Sequence, residues 1–119
     1  MNAIVGALNL RTLQRVSPHE SELRTLRQLS AFYLSYGRID TADKLLRVVL
    51  WLCPEDKEAL RLQARVYALS GNPIKAADIL LRVTRAKPGS IALADWKAVA
   101  LAFIRTGQSK AARKILMRK

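Results

Sequence analysis

An internal period of 34 residues constrains this chain more than any other feature. Tyr33 and Tyr67 are 34 residues apart, as are Gly37 and Gly71, Ala42 and Ala76, Leu46 and Leu80, Val49 and Val83, and Pro54 and Pro88. A period of this length marks one supersecondary unit, which cannot bury its apolar face alone and must stack on its neighbours. The glycine supplies the left-handed or tight backbone needed between two helices. The alanine that follows is small enough for close helix approach, and the leucine and valine beyond it recur at helical spacing. The proline cannot continue a helix but is tolerated at a helix start, so it divides one unit from the next. A third unit follows with a two-residue offset, in which Trp96, Phe103, Gly107, Ala112 and Leu116 take the same relative places. The extra residues are expected in the loop around Pro88-Gly89-Ser90.

Local signals divide the chain into helices. Ser17-Pro18-His19-Glu20 reads as a capping box with proline at the first helical position, which predicts a helix to about Tyr36. Asp40 is expected to cap a second helix to about Leu52, and Pro54 to open a third to about Ser70. Asn72-Pro73 should start a fourth, to about Ala86. A fifth is expected over about 91–105 and a sixth over about 108–118. Residues 3–16, with Ile4, Val5, Leu8, Leu13 and Val16, can form a short apolar helix. The expected organisation is an N-terminal segment, 1–16, and one all-α domain, 17–119, with units at about 23–56, 57–90 and 93–119.

These residues resemble the tetratricopeptide repeat family, whose sparse signature is an aromatic, a glycine, an alanine and a proline at these spacings. The resemblance covers about residues 23–119 and implies helical-hairpin repeats in a short right-handed solenoid. Leu26 and Leu60 stand where the family usually has tryptophan, and Ser30 and Ala64 where it has glycine. Two stretches are similar to the small chaperones of bacterial type III secretion. They are Gly37-x4-Ala42-x2-Leu45-Leu46-x7-Pro54 and Trp96-x10-Gly107-x2-Lys110-x-Ala112-Arg113. Within that group the size and layout look most like the Y-type export-apparatus chaperones. The resemblance implies a bacterial cytoplasmic chaperone that holds a small secreted export protein and works at the inner-membrane export apparatus.

In the tetratricopeptide family the first helix of each repeat lines a concave groove. Carried over by position, the groove residues are Arg24, Arg27, Ala31, Leu34 and Ser35 in the first unit. The second unit supplies Glu58, Arg61, Arg65, Ala68 and Leu69, and the third Ala94, Lys97, Leu101, Ile104 and Arg105. The N-terminal halves of these helices are basic and the C-terminal halves apolar, with Leu34, Leu69, Leu101 and Ile104 expected as exposed anchors. Such a surface suits an amphipathic helix or extended peptide with apolar anchors and an acidic edge. The family's carboxylate clamp uses asparagine near mid-helix, where this chain has Ala31 and Ala64 or Ala68, so that ligand is not expected.

Lys and Arg number 21 against 9 Asp and Glu, a formal net charge of +12. An excess this large points to an anionic partner. The alternative to a protein partner is RNA or another polyanion, bound through Lys44, Arg47, Arg82, Arg85, Lys87, Lys110, Arg113, Lys114, Arg118 and Lys119 on the second helices. Against it, the few aromatics are expected at core positions, which leaves no stacking platform. The single cysteine, Cys53, lies in an apolar run and reads as a small buried hydrophobe, in keeping with a reducing compartment. His19 is the single histidine and has no cysteine or acidic cluster beside it. No metal-ligand spacing, phosphate loop or nucleophile motif occurs, so neither catalysis nor a cofactor is expected. The longest apolar run, residues 98–104, is far below the roughly 20 residues of a membrane span. The first residues lack a basic stretch before their short apolar part, so no secretory signal is expected. Ile115, Leu116 and Met117 have no following helix to cover them, which predicts self-association or completion by a partner.

Overall fold

The computed structural model describes residues 20–89 and 91–117. These residues form six α-helices and, among the described residues, no strand: α1 (Glu20–Ser35), α2 (Ile39–Leu52), α3 (Lys57–Leu69), α4 (Pro73–Ala86), α5 (Leu93–Arg105) and α6 (Ser109–Met117). The expected helix within residues 3–16 and the capping residues Ser17 to His19 lie outside the described residues.

The sequence period reappears as repeated backbone geometry. Gly37, Gly71 and Gly107 have φ of 75°, 83° and 80°, the left-handed region that favours glycine. Each glycine ends a helix in the same way. The N–H of the following residue donates to the carbonyl of the aromatic four residues before the glycine: Arg38 to Tyr33 at 2.8 Å, Asn72 to Tyr67 at 2.8 Å and Gln108 to Phe103 at 2.7 Å. The glycine N–H donates to the carbonyl three residues back, and the two bonds together close a Schellman turn. The next helix starts at once, so α1–α2, α3–α4 and α5–α6 are joined by very short connections.

Three helix starts differ from expectation. Arg38, not Asp40, occupies the N-cap of α2, with no side-chain cap; Asp40 lies in the first turn. The Gly37 turn is so tight that the residue closing α1 also opens α2, which leaves no room for a separate cap. Asp40 still favours the positive end of the helix dipole. Pro54 does not open α3. It sits in a turn closed by Asp56 N–H to the Cys53 carbonyl at 3.0 Å, and Asp56 caps the helix by accepting from Ala59 N–H at 3.0 Å. α5 begins at Leu93, two residues later than expected. Asn72 caps α4 ahead of Pro73, as expected.

Each helix packs most closely on its neighbour in the pairs α1–α2, α3–α4 and α5–α6. α3 also touches α1 and α2, and α5 touches α3 and α4. Two apolar clusters result, and both use α3. Ala59, Leu62 and Val66 join Leu23, Leu34, Ala42, Leu46 and Val49, while Ala64 and Ala68 join Ala76, Leu80, Val99, Phe103 and Ala112. Three of the repeated pairs lie in the core: Ala42 and Ala76, Leu46 and Leu80, and Val49 and Val83. Burying each leucine contributes about 1.5–3 kcal/mol. Cys53 is half-buried at the edge of the first cluster rather than within it.

Candidate functional site

The basic residues expected in the N-terminal halves of the first helices are not all free to meet a ligand. Arg27 of α1 donates to Asp56 at 2.6 Å and is also paired with Glu20. Arg61 of α3 reaches Asp95 of α5 through two nitrogens, Nε at 2.9 Å and Nη2 at 3.3 Å, and is paired with Glu58. Arg65 adds a longer contact to Asp95 at 3.5 Å. Glu20, then Asp56, holds the Arg27 guanidinium above arginine's ordinary range; Asp95, then Glu58, does the same for Arg61, and partial burial opposes both shifts.

The two aspartates do double work. One oxygen of Asp56 caps α3 while the other takes Arg27. Asp95, buried in the first turn of α5, accepts from Ala92 N–H at 3.2 Å as well as from Arg61. Each arginine thus binds the N-terminal end of the next first helix, where helix dipole and carboxylate coincide. Sequence reasoning missed Asp56, Asp95 and Glu20, because only Glu58 fell on an inspected groove position. The available signals were an aspartate directly before a helical run and one spaced 34 residues after Arg61.

The other predicted groove residues divide in two. Leu34 and Ala68 are buried in the core and present nothing to a ligand, because α3 and α5 pack over those positions. Ala31 and Arg65 are half-buried, while Arg24, Leu69, Lys97, Leu101, Ile104 and Arg105 are exposed. Among the described residues Arg24, Lys97 and Arg105 have no carboxylate within ion-pair distance, whereas Glu20, Asp56, Glu58 and Asp95 are all engaged internally. The first-helix face therefore shows residual positive charge beside apolar side chains.

The aromatics also depart from expectation. Tyr33, Tyr67, Trp96 and Phe103 pack against the core clusters, but Phe32, Tyr36 and Trp51 are exposed. Phe32 and Tyr36 lie with ring centroids 4.8 Å apart. On the second helices Arg47 pairs with Asp43 at 3.0 Å. Lys44, Arg82, Arg85, Lys87, Lys110, Arg113 and Lys114 have no such partner among the described residues. Lys57, Arg82 and Arg85 line an open cleft of about 430 Å³ with Glu55 and Leu60.

Among the described residues no group of three His, Cys, Asp or Glu could hold a metal ion. His19, Arg118 and Lys119 lie outside the described residues. No helix among the described residues is long and apolar enough to cross a membrane. The chain matches no family model, and no curated protein matches it.

Proposed function

We propose that this chain is a tetratricopeptide-type helical-repeat protein that holds another polypeptide on the face of α1, α3 and α5, and acts by binding rather than catalysis. The observation that carries the reading is the pairing of exposed Leu69 and Leu101 on that face with Arg24, Lys97 and Arg105, which have no carboxylate partner among the described residues. The helix contacts support a curved stack. The first helices touch one another in succession, α1 to α3 and α3 to α5, whereas α2, α4 and α6 make no contact among themselves. A stack closer on one side bends toward that side, so the first helices would line the concavity. The occupant best matched to it is an amphipathic segment with apolar anchors and an acidic edge. Apolar burial supplies most of the affinity, and the cations set register and orientation. The resemblance of the glycine-alanine-leucine-proline and tryptophan-glycine-alanine stretches supports a role in type III secretion, as a cytoplasmic chaperone for a small export protein.

The test is a titration with two amphipathic helical peptides that share apolar anchors and differ in an acidic or basic edge. The acidic-edged peptide should bind more tightly and lose several-fold in affinity with Arg24→Glu and Arg105→Glu, at unchanged far-UV helicity. Equal affinity for both peptides overturns the reading. Failure to form a defined heterocomplex on coexpression with type III export proteins of the same cell overturns its secretion part. The second reading, an RNA- or polyanion-binding adaptor, is favoured by exposed Trp51 and by the second-helix cations other than Arg47, which have no carboxylate partner among the described residues. It predicts salt-sensitive RNA binding that Arg82→Glu with Arg85→Glu abolishes and the groove changes do not.

A further inference from the structure

The repeat register shows which surfaces at the two ends of the stack are uncovered copies of internal contacts. At the start of α3, Ala59, Leu62, Gln63 and Val66 are buried against α1 and α2. Of their equivalents two residues and one unit on, Asp95, Val99 and Ala102 are likewise buried in α5 and Ala98 is half-buried. The equivalents one unit back are on α1, and they are exposed: Leu29 by 40% and Phe32 by 53%. The opposite end mirrors this. Leu34 and Ala68 are buried by the following helix pair, but their equivalent Ile104 is 51% exposed. Leu46 and Leu80 are fully buried, but their equivalent Leu116 is 41% exposed.

The cations follow the same register, although their carboxylates do not: Asp56 caps α3, whereas Asp95 stands at the place of Ala59. Arg27 reaches forward to Asp56 and Arg61 forward to Asp95. Lys97 is the third member of that series, exposed and without a carboxylate among the described residues. Glu22, one period before Asp56, is exposed at the start of α1 and also has no cation partner among the described residues. One end of the stack thus offers a cation without a carboxylate among the described residues, on the helix that bears Ile104. The other offers an unpaired carboxylate on the helix that bears Leu29 and Phe32.

We infer that the chain associates with itself head to tail, the α5–α6 end of one copy covering the α1 face of the next. Phe32 and Leu29 of one copy cover Ile104 and Leu116 of another, and Lys97 meets Glu22 as Arg27 meets Asp56. The two patches differ, so the contact is heterologous and leaves a free end on each side; growth is open unless the rotation closes a ring. The inference rests on the stacked-repeat part of the proposed function and not on peptide binding. Its failure leaves the groove titration unaffected, because Arg24, Leu69 and Arg105 take no part in the contact.

The experiment is sedimentation velocity on the full chain through a dilution series. The expected result is a weight-average mass that rises with concentration. Phe32→Asp and Ile104→Asp should each be monomeric, with helicity unchanged because both positions are exposed. An equimolar mixture of the two should give a discrete one-to-one complex, since each supplies the face the other lacks. Lys97→Glu should weaken association about tenfold or more, a change of about 1.4 kcal/mol, and Glu22→Lys in the same chain should restore it. A chain that stays monomeric throughout overturns the inference, as does a dimer that survives Phe32→Asp. Association that appears only after removal of residues 1–16 also overturns it, by assigning the α1 face to the chain's own N-terminal segment.

Discussion

Removing the Asp95 carboxylate tests whether the forward-reaching arginines hold neighbouring helix pairs in register. Asp95 accepts two bonds from Arg61 and one from Ala92 N–H, and its side chain is only 4% exposed. Asp95→Ala leaves Arg61 facing a buried site without its main partner. Breaking a fully buried ion pair costs about 3–5 kcal/mol. The Arg61 side chain is 27% exposed and keeps Glu58 beside it, so solvent screening reduces this to about 2 kcal/mol. Loss of the bond at the start of α5 adds about 0.5–1 kcal/mol. The sum, near 2.5–3 kcal/mol, lowers the melting temperature of a domain this size by roughly 10–20 °C. The assay is a double-mutant cycle with Arg61→Met, followed by thermal and denaturant unfolding. A coupling of about 1–2 kcal/mol is expected for residues in direct contact. Additive effects, with coupling below about 0.3 kcal/mol, would refute the argument. Arg47→Ala provides the contrast. Its pair with Asp43 lies along a single solvent-exposed helix face, and its loss should leave the melting temperature unchanged.

Two further perturbations address the repeat itself. Ala42→Leu and Ala76→Leu place three extra carbons at fully buried positions and should each cost about 1–3 kcal/mol in denaturant unfolding; an unchanged midpoint for both would remove the close contact assigned to them. Gly71→Ala meets no atom within 4 Å but must hold φ near +83°, so it should cost about 1–2 kcal/mol, and Gly71→Asn less; equal stability of all three would refute the turn assignment.

Much of the architecture was legible because its determinants are local and repeated. Gly37, Gly71 and Gly107 mark turns that require positive φ, and Ala42, Ala76 and Ala112 follow each at the same distance. Helix starts were harder to read. Asp40 and Asp56 are both aspartates near a helix N-terminus, yet only Asp56 caps, since Arg38 is already committed by the Schellman turn. The candidate site was least legible. A groove position specifies which side of a helix a residue occupies, but not whether a later helix covers it or a distant carboxylate neutralises it. Leu34 illustrates the first case and Arg27 the second.

The proposed binding surfaces lie where the repeat is broken, not where it is kept. Arg27, Arg61 and Lys97 occupy one repeat position, but among the described residues only the first two pair with carboxylates. Ala31, Arg65 and Leu101 occupy another, and its character passes from small to cationic to apolar along the stack. Positions whose neighbours complete the pattern are spent on holding the fold. Positions left incomplete keep charge or apolar surface that a second molecule can satisfy. On the first-helix face these are Arg24, Leu69, Lys97, Leu101 and Arg105; at the ends they are Glu22, Phe32, Lys97 and Ile104. Lys97 stands in both sets, so peptide capture and self-association are separated by mutation at residues that only one of them uses, Arg24 and Arg105 against Phe32 and Ile104.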